Sequence, residues 1–126
     1  MTKADRITKT PPPAYYAVIF TSRRTPGDDG YAETARHLLS LAARQAGFLG
    51  MESARDEDGF GITVSYWKDL DAIHAWSKDV AHREAQARGR SRWYHAYRVR
   101  ICKVLQDDVF PRDDSRGPGQ TDMPHM

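Results

Sequence analysis

The last apolar stretch of the sequence, SRWYHAYRVRICKV at residues 91–104, constrains the fold more than any other. It alternates as a β-strand does, yet bulky side chains stand on both of its faces. One predicted face carries Trp93, His95, Tyr97, Val99 and Ile101, and the other carries Tyr94, Ala96, Arg98, Arg100 and Cys102. An antiparallel sheet usually leaves one face to water. We therefore expect helices on one face of this sheet and a second copy of the same sheet on the other.

The preceding residues predict the order strand, helix, strand, strand, helix, strand. The predicted strands begin at Tyr15, at Phe48 and at Phe60, and Asp56–Gly59 has the composition of a hairpin turn. A helical pattern runs from Tyr31 to Ala46, where Gly47 ends it. The second helix is predicted to begin at an Asp69 cap, to break between Asp79 and His82, and to stop at Gly89. Its buried stripe is Leu70, Ile73, Trp76 and Val80.

This order is that of a ferredoxin-like α+β fold, βαββαβ, with a four-stranded antiparallel sheet. Two such sheets packed face to face form a dimeric α+β barrel, so a homodimer is the expected partner state. The domain is predicted to occupy residues 15–105. Residues 1–14, which hold three consecutive prolines, are predicted to be a flexible N-terminal arm, and residues 106–126 a flexible C-terminal tail.

Composition excludes several classes of function. The 19 basic and 17 acidic side chains are interspersed and give a net charge of +2, so no basic stripe favours nucleic acid. No apolar run approaches the roughly 18 residues of a membrane-spanning helix, and no signal peptide is visible. Cys102 is the only cysteine, which excludes an intrachain disulfide and fits a reducing cytoplasm. We expect a cytoplasmic protein that binds neither nucleic acid nor membrane.

Three segments carry a resemblance to a known family. They are GFLGMES at residues 47–53, ITVSYWKDLDAIHAW at 62–76 and AHREAQARGRSRWYHAYRVRI at 81–101. Together they are similar to the antibiotic biosynthesis monooxygenase domain, a family of small dimeric α+β barrels. The resemblance implies an oxidoreductase, but the family includes quinol and anthrone monooxygenases, haem-degrading enzymes and members of unknown role.

Residue content narrows what the resemblance implies. Haem-degrading and anthrone-oxidising relatives rely on an asparagine in the pocket, and this chain has no asparagine. An axial histidine on the second helical region is also implied for haem, and His82 lies near that place but closer to Trp76 than the haem pattern requires. We therefore expect no cofactor and keep haem as an alternative. Histidine and cysteine spacing predicts no metal site.

His82 is the candidate catalytic residue, because it follows the predicted helix break and a neutral imidazole there can accept a proton. The alternative is that it only bonds to backbone at the break. The candidate substrate-binding residues are Trp67, Trp93, Tyr94, Trp76 and Arg98. Trp93 lies on one predicted face of the last strand and Tyr94 and Arg98 on the other, and alternation alone does not decide which face lines the pocket and which meets the partner subunit. For Trp67 and Trp76 the competing interpretation is core packing, and for Arg98 it is pairing with the partner subunit.

The leading hypothesis is a monooxygenase that oxygenates an electron-rich aromatic molecule, quinol-like or anthrone-like, without a cofactor. Such a substrate reacts directly with O₂ once it is deprotonated, so the protein supplies a dry pocket, a base and orientation. The alternatives are a non-catalytic dimer that binds a small hydrophobic metabolite, for instance in a stress response, and a haem-binding or haem-degrading monooxygenase.

Overall fold

The computed structural model describes residues 6–111, and within them the predicted strands form one antiparallel sheet. The ferredoxin-like α+β fold is confirmed, with the second helix divided in two. In chain order the elements are β1 (Tyr15–Arg24), α1 (Tyr31–Ala43), β2 (Phe48–Arg55), β3 (Phe60–Trp67), α2 (Leu70–Ser77), α3 (Val80–Arg88) and β4 (Tyr94–Val104). A single π-helical turn, Gly89–Trp93, joins α3 to β4.

The strands lie in the order β2-β3-β1-β4, so β2 and β4 are the edges. The register of β1 fixes the two ends of the sheet. At one end Tyr16 pairs with Trp67 of β3 and Lys103 of β4, and at the other end Arg24 pairs with Tyr94. Paired residues share a face. Every side chain can therefore be assigned either to the face that meets the helices or to the open face.

The core lies between the helices and the Trp67 end of the sheet. Trp67 is 1% exposed and packs with Ala42 of α1 and with Ala72 and Ile73 of α2. Half-buried Tyr16, Val18, Phe48 and Trp76 surround this cluster. Core packing, one of the two interpretations of Trp67, therefore holds. Of the stripe predicted to be buried on the second helix, Ile73 is buried and Leu70 is exposed. The side chain of Val80 is not among the described side chains.

Two aspartate caps explain why the second helix is divided. The predicted cap Asp69 is confirmed, because its Oδ1 accepts a hydrogen bond from the Ala72 N–H at 2.8 Å. Asp79 caps α3 in the same way, accepting from the His82 N–H at 3.0 Å. A residue that satisfies a helix N-terminus takes non-helical backbone angles, so the second cap interrupts the helix. The predicted break is thus found at Lys78 and Asp79. The first helix is shorter than predicted and ends at Ala43.

The start of the last strand differs from the prediction. Trp93 belongs to the π-helical turn, and β4 carries a bulge at His95, because Arg23 pairs with Ala96 while Arg24 pairs with Tyr94. One inserted residue moves each side chain that precedes it in the strand to the opposite face of the sheet. Tyr94 therefore shares the helix-facing side with Tyr97, whereas the predicted alternation placed it with Arg98.

The open face is crossed at one edge by the N-terminal segment. The Thr8 N–H donates to Glu52 Oε2 at 2.9 Å, and the Tyr66 hydroxyl donates to the other oxygen of the same carboxylate at 2.6 Å. Farther along the sheet, Phe60 and Ile62 remain exposed. Residues 1–5 of the predicted arm and 112–126 of the predicted tail lie outside the described residues. The dimer stays a prediction.

Candidate functional site

An apolar trough runs along the helix-facing side of β1 and β4. The trough consists of Val18, Phe20, Tyr97, Val99 and Ile101, which the register places side by side. Val99 is 49% and Ile101 50% exposed although both stand on the helix-facing side. The reason is that α1 packs over β2 and α2 over β3, so the edge strand β4 extends beyond the helices. Exposed apolar side chains that lie side by side are typical of binding surfaces.

A stack of rings lies at the Trp67 end of the sheet. The Phe48 ring meets Trp67 edge-on at 5.2 Å, Trp76 stacks on Trp67 at 6.3 Å, and His82 stacks on Trp76 at 4.5 Å with 15° between the planes. The Trp67 Nε1–H donates to Ser65 Oγ at 2.9 Å, which satisfies its polar atom inside the core. This histidine–tryptophan stack joins three of the predicted site residues, Trp67, Trp76 and His82.

The hydrogen bond of His82 fixes its tautomer. Nδ1 lies 3.0 Å from the Trp76 carbonyl oxygen, and a carbonyl only accepts. Nδ1 must therefore carry the proton, and in the neutral ring Nε2 carries a lone pair. Nε2 makes no hydrogen bond to any residue in the described range 6–111. The predicted alternative, a bond to backbone at the helix break, is thus present, and it leaves the other nitrogen able to accept a proton.

A second cluster lies at the opposite end of the sheet. We call Arg24, Tyr31, Arg55 and Tyr94 the arginine–tyrosine cluster. The Arg24 guanidinium carbon lies 3.7 Å from the centroid of the Tyr31 ring, and that of Arg55 lies 5.9 Å from the centroids of both rings. The two rings meet edge-on at 5.9 Å. Four different elements supply these residues, so the cluster depends on the whole fold.

Trp93 supports this cluster from beneath. It is buried, its ring meets Tyr31 edge-on at 5.8 Å, and its Nε1–H donates to the Asp29 carbonyl at 2.9 Å. The indole therefore anchors the loop before α1 and holds the Tyr31 ring. Its predicted role as a pocket wall is replaced by a supporting role, because the π-helical turn directs it under the loop.

The structure separates the predicted site residues into two groups. Trp67 pairs with Tyr16 and Tyr94 pairs with Arg24, eight residues farther along β1. At the rise of a strand this separation is about 26 Å. His82, at the first turn of α3, lies with Trp76, whereas Tyr94 follows the far end of α3 and the π-helical turn. Arg98 belongs to neither cluster, because it is exposed and pairs with Thr21 on the open face.

Sequence reasoning missed Arg24, Tyr31 and Arg55. Arg24 and Arg55 are the last residues of β1 and β2, and Tyr31 is the first residue of α1. Because β1 and β2 each pair antiparallel with β3, they run in the same direction and end at the same side of the sheet. An arginine as the last residue of each strand was therefore a usable signal. Gly61 reinforces it, because a Cβ there would lie 2.7 Å from the Arg55 guanidinium carbon. The glycine lets the cation lie flat on β3.

Burial raises the pKa of two tyrosines. For Tyr94 the causes are burial first and then the neighbouring Tyr31, with Arg55 and Arg24 acting weakly in the other direction. For Tyr66, on the open face, burial is followed by the hydrogen bond to Glu52 and the charge of that carboxylate. Both phenols are therefore neutral hydrogen-bond donors at physiological pH.

Elsewhere in residues 6–111, a surface groove of about 430 Å³ lies between α1 and α3, and its walls include His37, Glu84 and Arg88. No group of three histidine, cysteine, aspartate or glutamate side chains in the described range is arranged to hold a metal ion. Within the same range no helix is long and apolar enough to cross a membrane.

With the fold and both clusters in view, comparison with known proteins defines the class. The chain matches the family Antibiotic biosynthesis monooxygenase over residues 15–88, which covers β1 through α3. The protein belongs to this family, and the resemblance stated from its sequence is confirmed.

Particular relatives differ in how much they share. The uncharacterized protein YqjZ of Bacillus subtilis is 53% identical over 106 residues, covering 84% of this chain and 93% of that protein. The protein named Jasmonate monooxygenase ABM of Pyricularia oryzae is 30% identical over 94 residues, 71% of this chain. The matched region spans 43% of the Pyricularia protein, so less than half of that relative is represented.

Solved structures agree on the fold. SnoaB of Streptomyces nogalater, described as a cofactor-independent oxygenase and solved as a point mutant, superposes with a TM-score of 0.64 at 13% identity, covering 78% of this chain and 98% of that one. Rv0793 of Mycobacterium tuberculosis gives 0.65 at 10% identity, covering 75% and 99%. At such identities the likeness concerns the fold alone.

Proposed function

We propose that this protein is a monooxygenase that oxygenates an electron-rich aromatic molecule, of quinol or anthrone type, without a cofactor. The observation that carries the proposal is the state of His82. Its Nδ1–H is held by the Trp76 carbonyl and its ring lies flat on the indole, so Nε2 offers a fixed lone pair beside an aromatic wall. Family membership and the relatives named as oxygenases support the same class of reaction.

The proposed reaction needs only the substrate, O₂ and a base. His82 Nε2 takes a proton from the substrate, and the resulting anion passes one electron to O₂, giving a substrate radical and superoxide. These combine at carbon, and the His82 proton completes a hydroperoxide. Loss of water breaks the O–O bond and a second C–H bond and leaves a carbonyl. The substrate supplies all the electrons, and one oxygen atom ends in the product while the other ends in water.

In this proposal the protein acts by positioning. Trp76, with Trp67 behind it, holds His82 in one orientation and gives the substrate an aromatic wall. The experiment that tests the proposal is oxygen uptake with a dihydroxynaphthalene or anthrone substrate, for wild type and for His82→Ala. Uptake that is absent from wild type over a range of such substrates would contradict it.

One observation favours a second candidate, a dimer that binds a small hydrophobic molecule without turnover. The trough is open and apolar, and binding needs no base. The two candidates separate on the same assay, since a binder takes up the aromatic molecule, with quenched tryptophan fluorescence, but consumes no oxygen.

Haem binding is expected to be absent. The chain has no asparagine, and His82 lies closer to Trp76 than the haem pattern implies, with its ring stacked on that indole at 4.5 Å. Titration with hemin should give no stoichiometric, saturable Soret shift that depends on His82. A shift that is lost in His82→Ala would replace the proposal with the haem class.

A further inference from the structure

We propose that the arginine–tyrosine cluster is a binding site for a small aromatic carboxylate, distinct from the oxygenation site at His82. The first support is charge. Within residues 6–111 no carboxylate forms an ion pair with Arg24 or Arg55, although both guanidinium groups are partly buried. Removing a cation from water costs free energy that an anionic partner offsets.

The second support is the use of the guanidinium donors. Arg24 donates only through Nη2, to the Gly27 and Asp28 carbonyls at 3.0 and 3.3 Å. Its Nε–H is buried and has no acceptor among the described residues. Arg55 is fixed by Nη2 donating to Ser22 Oγ at 2.8 Å, where Ser22 is itself 3% exposed. Arg55 is thus anchored, while Nη1 of Arg24 donates to no described residue and remains for a carboxylate, the anion that guanidinium groups bind best.

The third support is the lining around the cations. Phe20 and Tyr97 extend the aromatic surface formed by Tyr31 and Tyr94. The centroid of the Phe20 ring lies 5.3 Å from that of Tyr94 and 5.3 Å from that of Tyr97. Tyr94 keeps its proton, because burial and its side-chain hydrogen bond with Tyr31 raise its pKa. Rings beside cations select an aromatic anion over an inorganic one.

The site does not depend on the proposed oxygenase reaction. The cluster and the histidine–tryptophan stack lie at opposite ends of the sheet, because Tyr94 pairs with Arg24 and Trp67 pairs with Tyr16, eight residues or about 26 Å away along β1. A protein that consumes no oxygen would still bind the carboxylate, and an active oxygenase without this site would still turn over. The two proposals can therefore fail separately.

The test is titration of the full chain with 2-naphthoate, followed by isothermal calorimetry, with methyl 2-naphthoate as the neutral counterpart and inorganic phosphate as the anion without rings. We expect saturable binding of the carboxylate, at least about tenfold tighter than of the ester, and weaker at high salt. Equal affinity for the ester would overturn the role of charge, and equal affinity for phosphate would overturn the role of the rings.

Variants assign the binding to the cluster. Arg24→Gln should weaken binding of 2-naphthoate about tenfold, and Tyr94→Phe should weaken it by a smaller factor. Arg98→Gln, an exposed arginine on the open face, is the matched control and should change affinity less than twofold. Equal losses from Arg24→Gln and Arg98→Gln would contradict the assignment. If Arg55→Gln fails to fold, Arg24→Gln and Tyr94→Phe still decide, because neither removes the bond between Arg55 and Ser22.

Discussion

At the scale of single residues, Tyr66 and Tyr94 make stability depend on alkaline pH. Burial raises the pKa of each phenol in the folded chain, with Glu52 adding to the effect at Tyr66. Above about pH 10, the ordinary pKa of tyrosine, the unfolded chain loses these protons while the folded chain keeps them. The unfolded state then binds fewer protons, so stability falls as pH rises. Below pH 10 both states hold the protons, and this contribution is constant.

The prediction is that the melting temperature falls from pH 10 upward and that Tyr94→Phe falls less steeply than wild type. Phenylalanine has no proton to lose, so one source of the pH dependence is removed. Tyr97→Phe, which removes an exposed hydroxyl from the trough, is the control. Thermal melts followed by circular dichroism at several pH values measure the slopes. Identical slopes for wild type and Tyr94→Phe would contradict the environment assigned to Tyr94.

At the scale of elements, the caps decide where the second helix begins and divides. Asp69→Ala should destabilise the fold by about 1 kcal/mol, because the Ala72 N–H loses its acceptor. For a domain of this size the melting temperature should fall by roughly 4–8 °C. Asp71→Ala changes an exposed aspartate in the same first turn and should fall less. Equal losses from the two variants would show that charge near the helix N-terminus, not the cap, is responsible.

The elements also show what the sequence could and could not predict. Asp69, the hairpin at Asp56–Gly59 and the strands beginning at Phe48 and Phe60 depend on local chemistry, and all were predictable. The bulge at His95 was not, because alternation assumes that no residue is inserted. That one residue moved Tyr94 to the side of Arg24 and Arg55. The candidate site therefore changed although the fold did not.

Ring contacts were the other unpredictable part. The periodicity of α2 placed Trp76 on a buried stripe, but a stripe does not say which ring stacks on which. The stack of His82 on Trp76 arises because Asp79 restarts the helix and turns the next residues back over the indole. Such contacts depend on the angle between two helices, which single-sequence patterns do not encode.

At the scale of the whole molecule, the exposed Phe60 and Ile62 of the open face bear on assembly. We predict a homodimer through this face, with about twice the chain mass of 14.3 kDa by light scattering at micromolar concentration. Ile62→Asp should shift the protein toward monomer, because a buried unpaired carboxylate is costly.

The matched control for assembly is Val99→Asp, which places the same charge in the trough on the opposite side of the sheet. It should leave the mass unchanged. A wild-type protein of single-chain mass at these concentrations would rule out the dimer.

The most direct measurement of the central claim is oxygen uptake by three proteins with one oxidisable aromatic substrate, together with their melting temperatures. Wild type and His74→Ala, which removes an exposed histidine from α2, should consume oxygen at equal rates and form one carbonyl product per O₂. His82→Ala should melt within a few degrees of wild type and consume no oxygen above the uncatalysed rate. Full oxygen uptake by a destabilised His82→Ala protein would show that the histidine only supports the helix break, and would contradict the account.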